Sequence, residues 1–500
     1  MSAKDFASLS PLLIANRGEI AVRIIRACRE LGIETVAVYS EADAGALHTR
    51  LADKVIEIGP PEASLSYLVI ERIIAAAKQT GAKAVHPGYG FLAENADFAE
   101  ANIAAGLVWV GPLPAAMRAM GDKARARAIT EEAGVSVLPG YQGKDDPVSF
   151  AKAVEKIGFP VVVKASSGGG GMGQRIVERQ DDLDDAIAAA RREAKHAFHD
   201  ERLILEKYLP LARHVEFQIL GDQQGNLVHL FERECSLQRR RQKIVEETPS
   251  PLLNDKLREE MGSAAVAAAK SVGYTNAGTV EFLVDPQTRT FYFLEMNTRL
   301  QVEHPITELV CNLDLVQWQL RIAAGESLPF TQNEAQQRGH AIECRIYAED
   351  AETGFLPATG TAHQVILPEA PGIRVDNGIA EGSPITTHYD PLLAKIVVYA
   401  EERKDALRRM QMALQKTVFL GLTTNIEFLQ DLLLHPDVLA GNYDTRTVER
   451  EFANWSRGEQ LPPEVLIAAA LADRGEQVNL GAEFPTLWES QRGFRLGGHT

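Results

Sequence analysis

The chain has little of what secreted or nucleic-acid-binding proteins need. Only four cysteines occur among its 500 residues (Cys28, Cys235, Cys311 and Cys344). They are too few for a disulfide framework, and none is paired at the spacing of a metal site. They favour a reducing compartment. Lys and Arg number 52 against 68 Asp and Glu, a net charge of −16, which disfavours nucleic-acid binding because that function needs a basic surface.

Long apolar runs are also missing. The first ten residues hold no apolar core of signal-peptide length. The longest uncharged stretch, residues 101–117, is interrupted by glycine and proline and is too short to span a bilayer. A composition of 45% hydrophobic and 24% charged residues is typical of soluble globular proteins. We therefore expect a cytoplasmic protein of several domains, with no membrane partner and no nucleic-acid partner.

Strand and helix patterns alternate over the first 110 residues. Short apolar or β-branched runs predict strands at 12–15, 35–39, 84–86 and 107–110. Helical periodicity over 20–31 follows the first of them. Strands separated by helices indicate a parallel sheet with right-handed crossovers.

A glycine-rich loop at 168–173 separates two predicted strands, 160–165 and 174–177, and a helix is predicted over 183–197. The loop contains GxGxxG, but the dinucleotide fingerprint requires a helix directly after the glycines. The Gly-Lys-Ser/Thr of a Walker A loop is absent too. A strand-loop-strand can be a flap whose backbone N–H groups approach a polyphosphate, or only a surface hairpin. Lys164, on the strand that enters the loop, favours the phosphate interpretation.

Two carboxylates are predicted to face each other across a β-hairpin formed by residues 277–297. A register that pairs Asp285 with Phe291 places Glu281 opposite Glu295. Opposed like charges on neighbouring strands are destabilising, so the pair predicts a cation between them. Oxygen ligands suit Mg²⁺ or Mn²⁺. A solvated acidic face of the sheet is the alternative.

Alternate residues after this hairpin would share one face if the chain stayed extended. They are Glu295, Asn297, Arg299, Gln301 and Glu303. Asn297 would add a third oxygen to the metal site, and a guanidinium binds a planar oxyanion bidentately. A neighbouring carboxylate can act as a general base. The run predicts a site that holds a metal nucleotide beside a small carboxylate-like anion.

A dense basic cluster lies further upstream. Alternation along a strand would put Arg239, Arg241 and Lys243 on one face, available to phosphate. The alternative is a solvated or salt-bridged strand end, neutralised in part by Glu246 and Glu247, which follow directly.

Arg345 is another cation inside an apolar strand pattern, over residues 341–346. A lone buried arginine usually pairs with an acid. The nearby candidates in sequence are Glu343, Glu349 and Asp350.

Taken together, these features resemble the ATP-grasp fold, and more narrowly the biotin carboxylase component of biotin-dependent carboxylases. The segments that carry the resemblance follow the family's order over about residues 11–450. They are 14–20 (IANRGEI), 86–92 (HPGYGFL), 120–123 (MGDK), 168–171 (GGGG), 206–208 (EKY), 213–216 (RHVE), 238–240 (QRR), 295–299 (EMNTR) and 301–304 (QVEH).

The resemblance implies a mixed α/β and α+β architecture. The expected parts are an N-terminal Rossmann-like parallel-sheet domain over 1–115, an ATP-grasp domain over 116–335 with a glycine-flap lid at about 138–207, a mixed C-terminal domain over 336–452, and a linker over 453–500. Residues 484–496 resemble the start of the region that follows the carboxylase part of acyl-CoA carboxylase α subunits. No Met-Lys-Met biotinylation motif occurs, so we expect a chain truncated before the carrier domain, or a separate carrier.

The implied activity is that of an ATP-dependent carbon–nitrogen ligase. ATP would phosphorylate bicarbonate to carboxyphosphate, and its CO₂ would pass to N1′ of carrier-bound biotin, the first half-reaction of an acetyl-, propionyl- or methylcrotonyl-CoA carboxylase. The implied cofactors are ATP, Mg²⁺ or Mn²⁺, and biotin. The implied partners are a biotin carboxyl carrier domain or protein, a carboxyltransferase subunit, and a second copy in a homodimer or a larger α/β assembly.

The resemblance also assigns roles to single residues. ATP would be bound by Lys123, Lys164, Gly168, Gly169, Gly170, Gly171, Glu206, Lys207, Leu209, His214 and Gln238. The metal would be held by Glu281, Glu295 and Asn297. Bicarbonate would be held by Lys243, Arg299, Gln301 and Val302, and deprotonated by Glu303, while Arg345 would stabilise the biotin enolate. The implied catalytic residues are thus Glu303, Arg345, Arg299 and Lys243.

Three other functions stay open. The chain could be another ATP-grasp ligase of the carbamoyl-phosphate or carboxylate–amine type, or the biotin carboxylase part of a pyruvate carboxylase. It could also be a non-catalytic assembly subunit that keeps the fold only for its contacts. The presence of Glu281, Glu295, Glu303 and Arg345 argues against the last of these.

Three positions depart from the family pattern. The family usually has Lys or Arg where this chain has Met172, Met where it has Gln174, and often His where it has Arg241. The flap therefore lacks one cation near the phosphates. We expect Met172→Lys to lower the KM for ATP in steady-state assays, because it restores a positive charge there. An unchanged or higher KM would contradict this explanation.

Overall fold

The N-terminal segment folds, in the computed structural model, as a sheet with helices between its strands. The structure describes residues 6–143, 146–166, 174–198, 201–457, 465 and 467–469. The first elements are β1 (Leu12–Ile14), α1 (Gly18–Glu30), β2 (Thr35–Tyr39), α2 (Leu47–Leu51), β3 (Lys54–Glu57), α3 (Ile70–Thr80), β4 (Ala84–His86), α4 (Ala96–Ala104) and β5 (Val108–Trp109). All five strands are parallel, in the order β3-β2-β1-β4-β5. The predicted parallel sheet is confirmed, although α1 begins at Gly18 rather than at residue 20.

A small antiparallel sheet follows two helices. The elements are α5 (Pro114–Gly121), α6 (Lys123–Glu132), β6 (Gly140–Tyr141), α7 (Pro147–Ile157), β7 (Val161–Ala165), β8 (Arg175–Val177), α8 (Leu183–Phe198) and β9 (Leu203–Lys207). The strands lie in the order β6-β9-β7-β8. Both strands predicted around the glycine loop and the helix after them are confirmed. The loop itself, including Met172, lies outside the described residues.

The rest of the chain is dominated by one long antiparallel sheet. Its first part comprises β10 (Arg213–Gly221), β11 (Leu227–Arg239), β12 (Gln242–Thr248), α9 (Asp255–Lys270), β13 (Asn276–Val284), β14 (Phe291–Asn297), α10 (His304–Cys311) and α11 (Leu315–Ala323). Then follow β15 (His340–Tyr347), β16 (Glu349–Asp350), β17 (Leu356–Pro357), β18 (Gly360–Thr361), β19 (Gln364–Ile366), β20 (Ile373–Asn377), β21 (Pro384–Ile385), β22 (Leu392–Ala400), α12 (Arg403–Gln415), β23 (Val418–Leu420), α13 (Ile426–Leu434), α14 (Pro436–Ala440) and α15 (Thr447–Glu451). None of the described helices is both long and apolar enough to cross a bilayer.

This sheet runs without interruption across residue 335, where the expected ATP-grasp domain ends. Its strand order is β14-β13-β10-β11-β12-β15-β22-β20, so β12 pairs directly with β15. Gly378 brings the C-terminal part against the start of α1, where a Cβ at position 378 would lie 2.5 Å from the Glu19 nitrogen. By its contacts the chain divides only into Met1–Trp455 and Ser456–Thr500. Residues 465 and 467–469, in the second unit, are helical.

Alternation along β10 gives the sheet one apolar and one polar face. Val215 and Phe217 pack with Met261 of α9 in a hydrophobic cluster, as expected for side chains that alternate across a strand. His214 and Glu216 point to the other face and are nevertheless buried. A buried polar face requires partners for every charge, and it forms the floor of the site described below.

One buried carboxylate ties β12 to the C-terminal elements. Glu247 accepts hydrogen bonds from His340 (2.7 Å) and from Nε and Nη2 of Arg403 (2.7 and 2.9 Å), and it also accepts one from Tyr443. Burial alone would raise the pKa of Glu247, but His340 and Arg403 hold that pKa well below its usual range. Because β12 also carries Lys243, this carboxylate fixes the strand on which the site is built.

We expect Glu247→Gln to lower the free energy of unfolding by about 3–5 kcal/mol, the usual loss when one partner of a buried ion pair is removed. A folded-state pKa below the unfolded value means that the stabilisation is present above the unfolded value and is lost as pH falls. The deficit should therefore be large at pH 7 and shrink toward pH 3 in thermal melts. Glu401→Gln, at an exposed position of the same region, is the control. A deficit independent of pH would contradict this role.

Candidate active site

A cavity of about 990 Å³ lies between the small sheet, the long sheet and the loop after β14. Every non-glycine residue proposed above for ATP, metal, bicarbonate or biotin lines it, apart from Glu303. Those residues are Lys123, Lys164, Glu206, Lys207, Leu209, His214, Gln238, Lys243, Glu281, Glu295, Asn297, Arg299, Gln301, Val302 and Arg345. Gly168, Gly169, Gly170 and Gly171 lie outside the described residues. Glu303 is fully buried beneath the cavity wall.

The centre of this arrangement is the Lys243 ammonium group. Its Nζ donates to Glu216 at 2.5 Å, to Glu281 at 2.9 Å and to Glu303 at 2.6 Å. Glu216 in turn binds the fully buried Arg233 at 2.5 Å. Burial would lower the pKa of Lys243, but the three carboxylates hold that pKa well above its usual range. Lys243 therefore stays charged and neutralises a cluster of acids on the polar face.

Glu303 is held between two cations. Besides Lys243, the Arg345 guanidinium donates to it at 3.0 Å. Burial would raise the pKa of Glu303, but Lys243, Arg345 and Arg233 keep it well below its usual range. In this arrangement Glu303 is ionised at neutral pH and is able to accept a proton, but only as a weak base.

The structure places Glu281 directly across from Glu295, as the sequence predicts, yet by a different register at the turn. Val284, not Asp285, pairs with Phe291, and the register shifts between Glu281 and Phe282. That irregularity in the ladder compensates for the shift at the turn. The predicted turn register was therefore wrong, although the pairing of the two carboxylates is as expected.

The pair fits a divalent cation. Burial and the Glu281 charge raise the pKa of Glu295, and the cation that approaches it, Lys123, is 3.9 Å away. Lys243, His214 and hydrogen bonds from them lower the pKa of Glu281 in spite of its burial. The side-chain oxygens of Asn297 and the two carboxylates form an all-oxygen donor set, as Mg²⁺ and Mn²⁺ prefer. A divalent cation there would relieve the repulsion that Glu295 now experiences.

The run after β14 converges on the cavity without forming an extended strand. The strand ends at Asn297, and α10 begins at His304. Arg299 donates to Gln301 at 2.8 Å and Gln301 donates to Glu281 at 3.1 Å. The expectation of period-two alternation through Glu303 was wrong: a loop, not a pleated strand, gathers these side chains.

Arg299 has a partner that the sequence analysis missed. Its Nε donates to Glu94 at 2.9 Å, and the backbone N–H of Thr298 donates to the same carboxylate at 3.2 Å. Glu94 lies in the N-terminal sheet region, and its side chain is 44% exposed. A single glutamate far away in sequence gives no local pattern, so only the fold identifies it.

The basic cluster forms a tight hairpin turn. Arg240 and Arg241 have φ angles of 46° and 70°, and Arg239 pairs with Gln242 across the turn. The strand alternation predicted for this cluster was therefore wrong, although Arg239, Arg241 and Lys243 all line the cavity, as expected. Arg239 stacks on Phe355, with 4.3 Å from its guanidinium carbon to the ring centre.

Arg345 pairs with acids other than the sequence neighbours considered above. Its acceptors are Glu246 (2.6 Å from Nε) and Glu303. The predicted candidates Glu343, Glu349 and Asp350 form no salt bridge with it in the part of the chain that the structure describes. The strand pairing of β12 with β15 causes the difference.

The other end of the cavity is also polar. Lys164 donates to Glu206, which Arg127 also approaches at 3.3 Å. Burial lowers the pKa of Lys123. His214 contacts Glu281 at 2.8 Å. These groups surround a volume large enough for a nucleotide and put two ammonium groups within it.

Three family profiles match the chain in succession. Residues 8–117 match the biotin carboxylase N-terminal domain, residues 122–331 the ATP-binding domain of the carbamoyl-phosphate synthase L chain, and residues 343–450 the biotin carboxylase C-terminal domain.

Several curated proteins are similar over most of the chain. The α subunit of the mitochondrial methylcrotonoyl-CoA carboxylase of Oryza sativa is 52% identical over 89% of this chain and 60% of its own length. The propionyl-CoA carboxylase α chain of Ruegeria pomeroyi is 46% identical over 92% and 71%. A pyruvate carboxylase subunit of Methanothermobacter thermautotrophicus is 49% identical over 88% and 89%. The chain thus spans about three fifths of the rice protein.

Solved structures agree in fold. The biotin carboxylase domain dimer of Hydrogenobacter thermophilus 2-oxoglutarate carboxylase, with MgADP, ADP and bicarbonate, is 45% identical with a TM-score of 0.86, covering 90% of this chain and 99% of that one. Campylobacter jejuni biotin carboxylase, with a β,γ-ATP complex, is 43% identical with a TM-score of 0.86, covering 88% and 98%.

We expect Lys243→Met to destabilise the protein by about 3–5 kcal/mol, because it leaves Glu216, Glu281 and Glu303 without their shared cation. Lys243 now holds the pKa values of Glu281 and Glu303 below the unfolded value of about 4.3. Their stabilisation is present above that pH and is lost as pH falls below it, so the deficit should be full at pH 7 and shrink as pH falls from about 4.3 toward 3. Thermal melts of both proteins check this. Lys256→Met, whose side chain is 84% exposed, is the control, and an equal deficit at pH 3 and pH 7 would contradict it.

Proposed function

Since the chain belongs to the biotin carboxylase family, we propose that it carboxylates N1′ of carrier-bound biotin with ATP and bicarbonate. This reaction is the first half-reaction of an acyl-CoA carboxylase. The observation that carries the proposal is the cluster in which Lys243 and Arg345 flank the buried Glu303 next to Arg299 and Gln301. Such a cluster offers a base and an anion clamp in one place.

Bicarbonate is the substrate that fits this clamp. Arg299 offers a planar fork to a planar oxyanion, and Gln301 and the backbone at Val302 line the same wall. The Glu94 contact holds the guanidinium partly in place before the anion binds. Lys243, within reach of Glu303, adds the second positive charge.

Glu303 takes the proton of bound bicarbonate. Its low pKa in the free site makes it a weak base, and a bicarbonate that draws Lys243 and Arg345 toward itself removes part of the charge that keeps that pKa low. Deprotonation converts bicarbonate into a better nucleophile for the γ-phosphorus. The new bond joins a bicarbonate oxygen to phosphorus, the bond to ADP breaks, and carboxyphosphate results.

The nucleotide lies along the rest of the cavity. Lys123 and Lys164 face its phosphates, while Glu206, Lys207, Leu209, His214 and Gln238 surround adenine and ribose. Glu281, Glu295 and Asn297 would hold Mg²⁺ or Mn²⁺, which would neutralise phosphate charge. Because Lys164 is paired with Glu206, it is positioned before ATP enters.

Carboxyphosphate then delivers its CO₂ to biotin. Arg345 stabilises the enolate that forms when N1′ loses its proton, since a fixed guanidinium in a water-poor site favours developing negative charge. The carbon–oxygen bond to phosphate breaks, the released phosphate accepts the N1′ proton and leaves as inorganic phosphate, and the carboxyl group ends on N1′.

We also propose the setting of the reaction. Two of the similar proteins are α subunits of a methylcrotonoyl-CoA carboxylase and a propionyl-CoA carboxylase. This similarity supports two partners, a biotin carrier and a carboxyltransferase subunit. A dimer is supported by the dimeric Hydrogenobacter domain. The domain limits at 115, 335 and 452 are supported by the three profile ranges. A cytoplasmic location stays a prediction, as the rice relative is named mitochondrial.

A second candidate is the corresponding subunit of a pyruvate carboxylase, which the Methanothermobacter relative favours. It would catalyse the same biotin carboxylation, and it differs only in the final acceptor.

The test is ATP hydrolysis by the full chain with and without bicarbonate and free biotin. The proposal predicts hydrolysis that requires bicarbonate and rises with biotin. Bicarbonate-dependent hydrolysis that responds to ammonia or an amine and not to biotin would indicate another ATP-grasp ligase. No hydrolysis under any condition would indicate a non-catalytic subunit.

We expect Glu303→Gln to lower kcat of the biotin-stimulated reaction by about 10²–10⁴-fold, the usual effect of losing a general base. Glu369→Gln, at an exposed position, should retain full activity, and thermal melts should show that both variants are folded. A folded Glu303→Gln protein with near-normal kcat would rule out this residue as the base.

A further inference from the structure

Arg345 has two carboxylate partners, Glu303 and Glu246. Glu303 is the proposed base, whereas Glu246 has no proposed role yet. Its Nε donates to Glu246 at 2.6 Å, and one terminal nitrogen donates to Glu303 at 3.0 Å. Its other terminal nitrogen, Nη1, binds neither carboxylate, and the side chain lines the cavity beside Tyr347. The two carboxylates thus orient the guanidinium at the cavity wall, where Tyr347 also hydrogen-bonds with it.

Glu246 lies opposite another glutamate. The pairing of β12 with β15 puts Glu246 directly across from Glu343, and both residues are fully buried. Directly opposed Cβ atoms in such a ladder are about 4.5–5.5 Å apart, and two negative charges there repel each other. The neighbouring acids therefore require either a cation between them or a proton.

Glu343 has nothing that would stabilise a negative charge at hydrogen-bond distance. Neither of its oxygens has a hydrogen-bond partner in the described part of the chain, and the Glu246 oxygen Oε2 also has none. On the far side Glu343 pairs with Val397 of β22, which belongs to an apolar cluster with Ile306 and Val310 of α10. An unpartnered carboxylate next to such a cluster carries a large desolvation cost.

The charged groups that act on the two glutamates come from four elements. They are Lys243 on β12, Arg345 on β15, Lys395 on β22 and Glu303 before α10. Arg345 binds Glu246, and Lys395 donates to the Val302 carbonyl at 2.8 Å and lies 3.2 Å from Glu19. Burial raises the pKa of Glu343 well above its usual range despite Lys395, and it raises that of Glu246 less far, because Arg345 binds Glu246 directly and favours its charged form.

We propose that Glu246 is a positioning residue for Arg345, and that its cross-strand partner Glu343 stays protonated so that Glu246 keeps the negative charge that holds the guanidinium. Glu246 never touches a substrate in this arrangement. It acts by holding the Arg345 guanidinium in the orientation in which it faces biotin. The kinetic part of this inference rests on the proposed function.

The first experiment separates biotin use from ATP use. In Glu246→Gln the guanidinium loses a charge-assisted hydrogen bond, and we expect kcat/KM for biotin to fall by about 10- to 100-fold. The KM for ATP in the same assay should change by less than about twofold, because the ATP-binding residues are untouched. Glu246→Asp keeps the charge and should recover part of the loss. A rise in the KM for ATP as large as the fall in kcat/KM for biotin, or no recovery with Asp, would overturn the positioning role.

The second experiment uses Glu343→Gln as the matched variant from the same cross-strand pair. Glutamine resembles a protonated glutamate, so its thermal midpoint should be no lower than that of the wild type at pH 7. A folded-state pKa above the unfolded value means that wild-type stability is full below the unfolded value and falls as pH rises toward the folded value. Glutamine cannot ionise, so the midpoint of Glu343→Gln should rise relative to the wild type from pH 5 to pH 9.

The third measurement detects directly whether the Glu343 carboxyl group is protonated. Infrared difference spectra of the wild type against Glu343→Gln at pH 7.5 should contain the C=O stretch of a protonated carboxyl group in the wild type only. Absence of that band, or a Glu343→Gln midpoint that is lower at every pH, would overturn the assignment of the proton.

The infrared and thermal measurements do not use turnover. If the wild-type chain showed no biotin-stimulated hydrolysis, the proposed function would fail, while these two results would still decide whether Glu343 carries the proton.

Discussion

The contact on which the site depends is the Lys243 ammonium group among three buried carboxylates. Glu216, Glu281 and Glu303 come from a strand, a hairpin and a loop, and each lies within 2.9 Å of the same nitrogen. Without this cation the three acids could not be buried together, since an unpaired buried charge costs several kcal/mol. The same contact keeps the proposed base, Glu303, and one carboxylate of the proposed metal pair, Glu281, ionised. It also places a positive charge next to the residues proposed to bind bicarbonate.

The long sheet explains how groups so distant in sequence meet. Its apolar face packs on α9, so the alternate side chains of β10 must point to the opposite face, where other elements cover them. Because β12 pairs with β15, the strand that carries Lys243 is also the neighbour of the strand that carries Arg345. One continuous ladder therefore joins the residues proposed for bicarbonate with the residue proposed for biotin, and the small sheet closes the nucleotide end.

The fold and most of the cavity lining could be predicted from the sequence, because these features follow from local patterns. The predictions that failed concern features that depend on long-range packing. The parallel sheet followed from local periodicity. The hairpin pattern predicted that Glu281 lies opposite Glu295, and the structure has this pairing. The predicted register at the turn was wrong, and a register shift further along the ladder restores the pairing. Local patterns could not reveal that residues after Asn297 form a loop, that Arg345 pairs across strands with Glu246, or that Glu94 holds Arg299, because each depends on long-range packing.

The most direct test of the account is whether a bicarbonate oxygen becomes bonded to phosphorus. The full chain is incubated briefly with ATP, Mg²⁺, biotin and bicarbonate labelled with oxygen-18, and the released phosphate is analysed by mass spectrometry. An oxygen that attacks the γ-phosphorus remains on phosphate when its bond to carbon breaks, so the account predicts one bicarbonate-derived oxygen in each phosphate. Phosphate whose new oxygen comes only from water would contradict it.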